Sequence, residues 1–332
     1  MALIDKKAKI FIAGSKGMVG SAIKRKFGSF GYKNLLCPSS NELDLTNTKS
    51  VFDWFTEKNP DIVVLAAAKV GGIYANNTYP VNFLLENLKI QNNVIESAWQ
   101  TNVKRLLFLG SSCIYPKYSK QPIKEEELMT GALEKTNEWY ALAKISGIKL
   151  CQALRKQYGF DAISLMPTNL YGKGDNYHPL NSHVLPAFID RFHKHSSENK
   201  KIINCWGSGE TRREFLHVDD LAEACIFALN YWDPNNKNAP LDEFGEPLNW
   251  LNVGTGIDLS IKNLAKMISK ITSYEGEIYW DKSKPDGTFQ KLLNVSQLNN
   301  LGWQAKISLE EGLNTTYEDY KKELLKKELR IK

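Results

Sequence analysis

No apolar run in this chain of 332 residues approaches the ~20 residues that a membrane-spanning helix needs, so a membrane partner is not expected. Cysteine is sparse. The five that occur (Cys37, Cys113, Cys151, Cys205, Cys225) are odd in number, far apart and never in a CxxC pair. A disulfide framework and a zinc site are therefore not expected, and a reducing, cytoplasmic setting fits best. The polar stretch Met1 to Ala8 runs directly into a strand pattern, without the features of a secretory leader. There is no basic stripe interleaved with aromatics, which argues against nucleic acid as a partner. Lys plus Arg exceed Asp plus Glu by 43 to 37, a net +6. The lysines are scattered, and even the basic run Lys321 to Lys332 reads as a solvated helix end. Repeats and low-complexity tracts are absent.

What remains is an alternating pattern. Lys9–Ala13, Asn34–Cys37, Asp61–Ala67, Arg105–Ser111 and Ala162–Met166 are short, nearly continuous apolar runs. Helical patterns fill the gaps at Val19–Phe27, Lys49–Glu57, Val81–Trp99 and Glu138–Tyr158. Strands apolar on both faces and separated by helices predict an α/β fold, a doubly wound parallel sheet. After Pro167 the rhythm loosens into Gly, His, Asn and Pro, with helices near Ser182–His195 and Asp219–Leu229 and a strand at Trp250–Val253. The expected division is a dinucleotide domain from 1–168 with about 215–256. A smaller, discontinuous α/β substrate domain would take about 169–214 and 257–332.

Gly14-Ser15-Lys16-Gly17-Met18-Val19-Gly20 links the first strand to the first helix. Glycines there permit a tight turn and close approach of backbone to a pyrophosphate seated on the helix N-terminus. The second strand ends in Leu36-Cys37-Pro38-Ser39-Ser40, without the acid that would grip a free ribose 2′-hydroxyl and repel a 2′-phosphate. With Lys16 nearby, NADP is expected over NAD.

Tyr140 and Lys144 stand four apart on a helical pattern, hence on one face. A neighbouring ammonium would favour tyrosinate and make the phenol a better acid near neutral pH. Ser111 ends the fourth strand, on the sheet edge where ligands bind, and its hydroxyl could hold the substrate oxygen that Tyr140 protonates. Three such groups predict a nicotinamide-dependent enzyme acting on a carbonyl. Cys113 lies two residues further along the same edge. On position alone, it could equally be a small buried filler.

These residues resemble the extended short-chain dehydrogenase/reductase family. Segments at 17–23, 66–73, 111–117, 137–151, 166–172, 181–187, 206–220, 252–256 and 283–288 resemble, in order, the GDP-L-fucose synthases. That resemblance implies NADPH-dependent conversion of GDP-4-keto-6-deoxy-D-mannose to GDP-L-fucose, by 3,5-epimerisation and then 4-keto reduction. The same chemistry on a GDP-4-keto-6-deoxy heptose, or 4-reduction alone, are the alternatives. It implies catalytic roles for Ser111, Cys113, Tyr140, Lys144 and His183, with Cys113 taking protons as thiolate and His183 returning them as imidazolium. It implies cofactor contacts from the glycine loop, Ser40, Leu109, Gly110, Ser111, Ser112, Lys144, Pro167, Thr168, Asn169, Leu170 and His183. Arg191, Trp206, Arg213 and Asp286 would meet the substrate, the guanidinium forks suiting a diphosphate. Some relatives carry arginine where Lys16 and Ser40 stand. A homodimer joined through the helices at Val81–Trp99 and Glu138–Tyr158 is also implied.

Overall fold

The computed structural model describes residues 2–284 and 286–331; Pro285 of the 283–288 motif and the end residues Met1 and Lys332 lie outside them. In chain order the first half comprises β1 (Ile10–Ala13), α1 (Met18–Ser29), β2 (Leu35–Leu36), α2 (Thr48–Lys58), β3 (Ile62–Leu65), α3 (Ile73–Thr78), α4 (Asn87–Gln100), β4 (Arg105–Leu109), α5 (Glu138–Tyr158) and β5 (Ala162–Pro167). The second half adds β6 (Asn169–Tyr171), α6 (Val184–Ser197), β7 (Ile202–Trp206), β8 (Arg212–His217), α7 (Val218–Tyr231), β9 (Trp250–Val253), β10 (Asp258–Ser260), α8 (Ile261–Ile271), β11 (Glu277–Asp281), β12 (Gln290–Lys291), α9 (Ser296–Asn300) and α10 (Leu309–Leu325).

Six strands form a wholly parallel sheet in the order β2-β1-β3-β4-β5-β9. Alternate side chains of each strand serve opposite faces. Ile10 and Ile12 of β1 pack with α1 and α7, whereas Phe11 and Ala13 pack with α2, α4 and α5. Covering both faces explains why the strands read as continuous apolar runs. Each fully buried aliphatic or aromatic side chain contributes roughly 1.5–3 kcal/mol. The strand order reverses at β1, which opens a crevice above the carboxyl ends of β1 and β3.

A third apolar core lies outside this sheet, among α6, α8, α10 and β7. Beside it, β8 is flanked by β10 and β12 and also pairs with β6, while β7 pairs with β11. Within 169–213 the sequence pattern predicts one helix alone; β6, β7 and the start of β8 are additional. The helix expected at Val81–Trp99 is α4, entered through a π-helical turn at Asn82–Glu86. Among the described residues no helix is long and apolar enough to cross a membrane.

Candidate active site

The glycine loop is built by close approach. Gly14 has φ +84°, and the Gly17 amide donates to its carbonyl at 2.9 Å. A Cβ on Gly20 would stand 2.1 Å from the Gly14 oxygen, so only glycine lets α1 start this near the turn. Gly17 caps α1 with no side-chain hydrogen bond, leaving the first-turn amides directed outward. This bare cradle, with Lys16 exposed beside it, fits the diphosphate of a dinucleotide. Met18 and Val19 are half-buried against the core behind the loop. Ser15 is buried and hydrogen-bonds the Cys37 thiol.

The end of β2 differs from the sequence reading in one respect. Ser40 is exposed, and Glu42 folds back to accept from the Ser39 amide at 2.7 Å. That bond, with Lys16 adding a smaller effect, holds its carboxyl below the usual range. An acid does stand near this edge, already engaged by backbone. The spacing Ser39-x-x-Glu42, a capping-box pattern, was the available signal.

At the end of β4, Ser111 starts a single 3-10 turn, Ser112–Ile114, and its hydroxyl accepts from the Cys113 amide at 3.3 Å. Helix α5 brings Tyr140 and Lys144 to the same place. Lys144 is buried, and its Nζ donates to the Leu109 carbonyl at 2.8 Å. It lies 5.9 Å from the centre of the Tyr140 ring and 4.7 Å from that of Phe108. Desolvation pushes Lys144 down to about 7. The tyrosinate that a neighbouring ammonium would favour at Tyr140 is not what the structure supports. Burial pushes the phenol up, the Cys113 sulfur adds to that, and the Ser111 hydrogen bond offsets only part. The phenol is therefore held protonated, the form a proton donor needs.

Two cations face Cys113. Lys291, on β12, places its Nζ 3.7 Å from the Cys113 sulfur. Arg213, paired with Lys291 across β8 and β12, lies within the field of Cys113, Asp286 and Glu134. Lys291 was missed by the sequence reading, since nothing local distinguishes a lysine that meets its partner 178 residues away.

His183 caps α6. Its segment is held against the start of α3 by the Gly72 amide, which donates to the Asn181 carbonyl at 2.8 Å. His183 is exposed at its surface, and partial desolvation by the protein beneath it lowers its pKa. Among the described residues, no hydrogen bond joins it to Cys113 or Tyr140.

The other expected contacts divide. Gly110 crosses Met166 closely, and Ser112 and Pro167 are buried behind the site. Leu170 packs against the main core. Thr168 and Asn169 direct their side chains to the Glu214 carbonyl, at 3.3 and 2.8 Å. On the substrate side, Trp206 is exposed with Lys284 above it, 5.9 Å from the ring centre. Asp286 accepts from the Ser208 amide at 2.9 Å and so ties its loop to the one following Trp206. Arg191 donates to the Asn204 carbonyl at 2.9 Å, further along β7.

A parallel sheet with a glycine turn at its first crossover, and Ser111, Tyr140 and Lys144 at its carboxyl edge, define the class: an extended short-chain dehydrogenase/reductase. Comparison with known proteins narrows this. Residues 10–239 match the NAD dependent epimerase/dehydratase family. "Putative GDP-L-fucose synthase 2" of Arabidopsis thaliana is 52% identical over 98% of this chain and 95% of its own length. GDP-L-fucose synthase of Escherichia coli (strain K12) is 51% identical over 94% of this chain and 96% of its own. A solved GDP-mannoheptose C4 reductase from Campylobacter jejuni with NADP bound superimposes with a TM-score of 0.85, at 38% identity, over 96% of this chain and 99% of that one. The chain belongs to the NAD dependent epimerase/dehydratase family and, within it, to the branch of the GDP-L-fucose synthases.

Proposed function

We propose that the chain converts GDP-4-keto-6-deoxy-D-mannose to GDP-L-fucose with NADPH, inverting C3 and C5 before reducing C4. Identity of 51–52% to GDP-L-fucose synthases supports the substrate, against 38% for the heptose C4 reductase. The observation that carries the chemistry is the meeting of Ser111, Tyr140 and Cys113 at the end of β4, with Lys291 and Arg213 beside the sulfur.

The C4 ketone acidifies the protons on C3 and C5. Cys113, as thiolate beside the Lys291 ammonium, takes one of these protons and leaves an enolate whose charge rests on the C4 oxygen, where Ser111 and Tyr140 stand. His183 delivers a proton to the opposite face, which inverts the centre. Desolvation disfavours its imidazolium, so the proton is easily given up. In the second stage Ser111 holds the C4 oxygen and Tyr140 protonates it. Lys144 orients the cofactor ribose.

The bound dinucleotide supplies the hydride. The glycine loop, Ser40 and the Leu109–Ser112 and Pro167–Leu170 edges would hold it. Arg213 and Arg191 receive the substrate diphosphate, Trp206 the sugar or base, and Asp286 a hydroxyl. The Rossmann part (1–168 with about 215–256) carries cofactor, and the remainder carries the GDP-sugar. Exposed Val81, Leu85, Trp139 and Leu142, on the π-helical turn's flank and α5, suit burial against a second copy of this chain in the cytoplasm.

The test is a Cys113→Ser variant. It should lose solvent-proton exchange at C3 and C5 while still reducing a pre-epimerised 4-ketone; exchange at the parental rate refutes the role.

A further inference from the structure

The segment that follows α10 does not trail into solvent. Lys327 turns it with φ +58°, Leu329 packs into the third core, and the Arg330 carbonyl accepts from the amide of buried Tyr177 at 2.9 Å. Glu323, near the end of α10, accepts from the Gly174 amide. Residues 172–177 and the segment around Arg330 are thereby strapped together.

That strap lies over the glycine loop. A Cβ on Gly174 would stand 4.0 Å from the Met18 Cα, and one on Gly17 would stand 3.9 Å from Nη1 of Arg330. The guanidinium thus hangs beside the residue that caps α1, where the amides of the first helical turn are also uncapped by any side chain. Among the described residues it has no hydrogen-bonded or ion-paired partner. The nearby acid is Asp175, which feels the positive charge but is buried. One Asp175 carboxylate oxygen has no hydrogen-bond partner, so the guanidinium is not consumed by it.

A side chain meant only for solvent would not need its backbone fixed on both sides. We infer that Arg330 is a cofactor-binding residue, carried from the third core to the glycine loop to contact the diphosphate of the dinucleotide. Five fixed N–H donors suit that group, and the anion supplies the partner the guanidinium otherwise lacks. The strap also makes one domain's tail a part of the other's ligand site. This rests on the dinucleotide reading above.

The test is equilibrium binding of NADPH and of NADH, without sugar substrate, followed by nucleotide fluorescence. Arg330→Gln should weaken both nucleotides by roughly tenfold, because the diphosphate is common to them. It should also make log Kd less steeply dependent on salt, while leaving the melting temperature without nucleotide unchanged. Arg330→Lys should recover part of the loss. Unaltered affinity in Arg330→Gln overturns the inference. A loss confined to NADPH also overturns it, by putting the side chain on the 2′-phosphate. Failure of the parent protein to bind either nucleotide would instead sink the dinucleotide reading, and this inference with it.

Discussion

Replacing Gly72 with alanine should separate inversion from cofactor binding. Gly72 caps α3 with φ −66° and ψ 179°, a conformation that alanine adopts without strain. The obstacle is steric. A Cβ there would stand 2.5 Å from the Ser182 carbonyl oxygen, where ordinary contact begins at 3.4 Å. The 181–183 backbone must therefore retreat by about 1 Å, and the Gly72–Asn181 hydrogen bond is weakened or lost. Loss of that bond costs ~0.5–1.5 kcal/mol and overpacking ~1–3 kcal/mol. Against a typical stability of ~5–15 kcal/mol, the variant still folds. The catalytic cost is larger in proportion, because a misplacement of about 1 Å can cost ~10²-fold in rate. His183 rides on the displaced segment. Exchange of substrate protons with deuterated solvent, followed by NMR, should slow by about two orders of magnitude, while NADPH, held mainly by the glycine loop, loses no more than about tenfold in affinity, ~1.4 kcal/mol. Parental exchange rates in a folded Gly72→Ala protein would refute the idea that this contact positions His183.

Gly20→Ala perturbs the other end of the crevice: its Cβ would lie 2.1 Å from the Gly14 oxygen, so the loop must open. NADPH affinity should fall at least ~10-fold, about 1.4 kcal/mol, by fluorescence titration, and unchanged affinity contradicts the cradle. Lys144 makes a pH prediction. Burial lowers it to about 7 from 10.5, so between those values the unfolded chain carries a proton that the folded one lacks. Stability should therefore rise with pH across that window, relative to Lys144→Met. Urea midpoints from pH 7 to 10 measure it; a difference between the two proteins that does not change with pH contradicts it.

The alternating half of the chain was legible because its signals are local. Helix α5 occupies the expected residues, ended by Gly159 in the left-handed region at φ +67°. The strands of the main sheet are apolar on both faces, and that survives any register. Strand β7 was not legible: Ile202 and Trp206 are exposed while Ile203 and Cys205 are buried, too brief an alternation to stand out among Asn, Gly and Ser. The order of Ser111, Cys113, Tyr140 and Lys144 along one edge could be read from β4 and α5. What surrounds them could not. Lys291 reaches Cys113, Asn181 is held by Gly72, and Arg330 returns to Gly17 only through tertiary packing. The direction of the Tyr140 shift was likewise inaccessible, because it depends on how completely water is excluded from the phenol.

Incubating the parent protein with GDP-4-keto-6-deoxy-D-mannose and NADPH in deuterated water tests whether this chain performs both inversion and reduction. GDP-L-fucose carrying deuterium at both C3 and C5 is the expected product. A reduced sugar with neither position labelled, or no turnover of this substrate at all, would contradict the proposed chemistry.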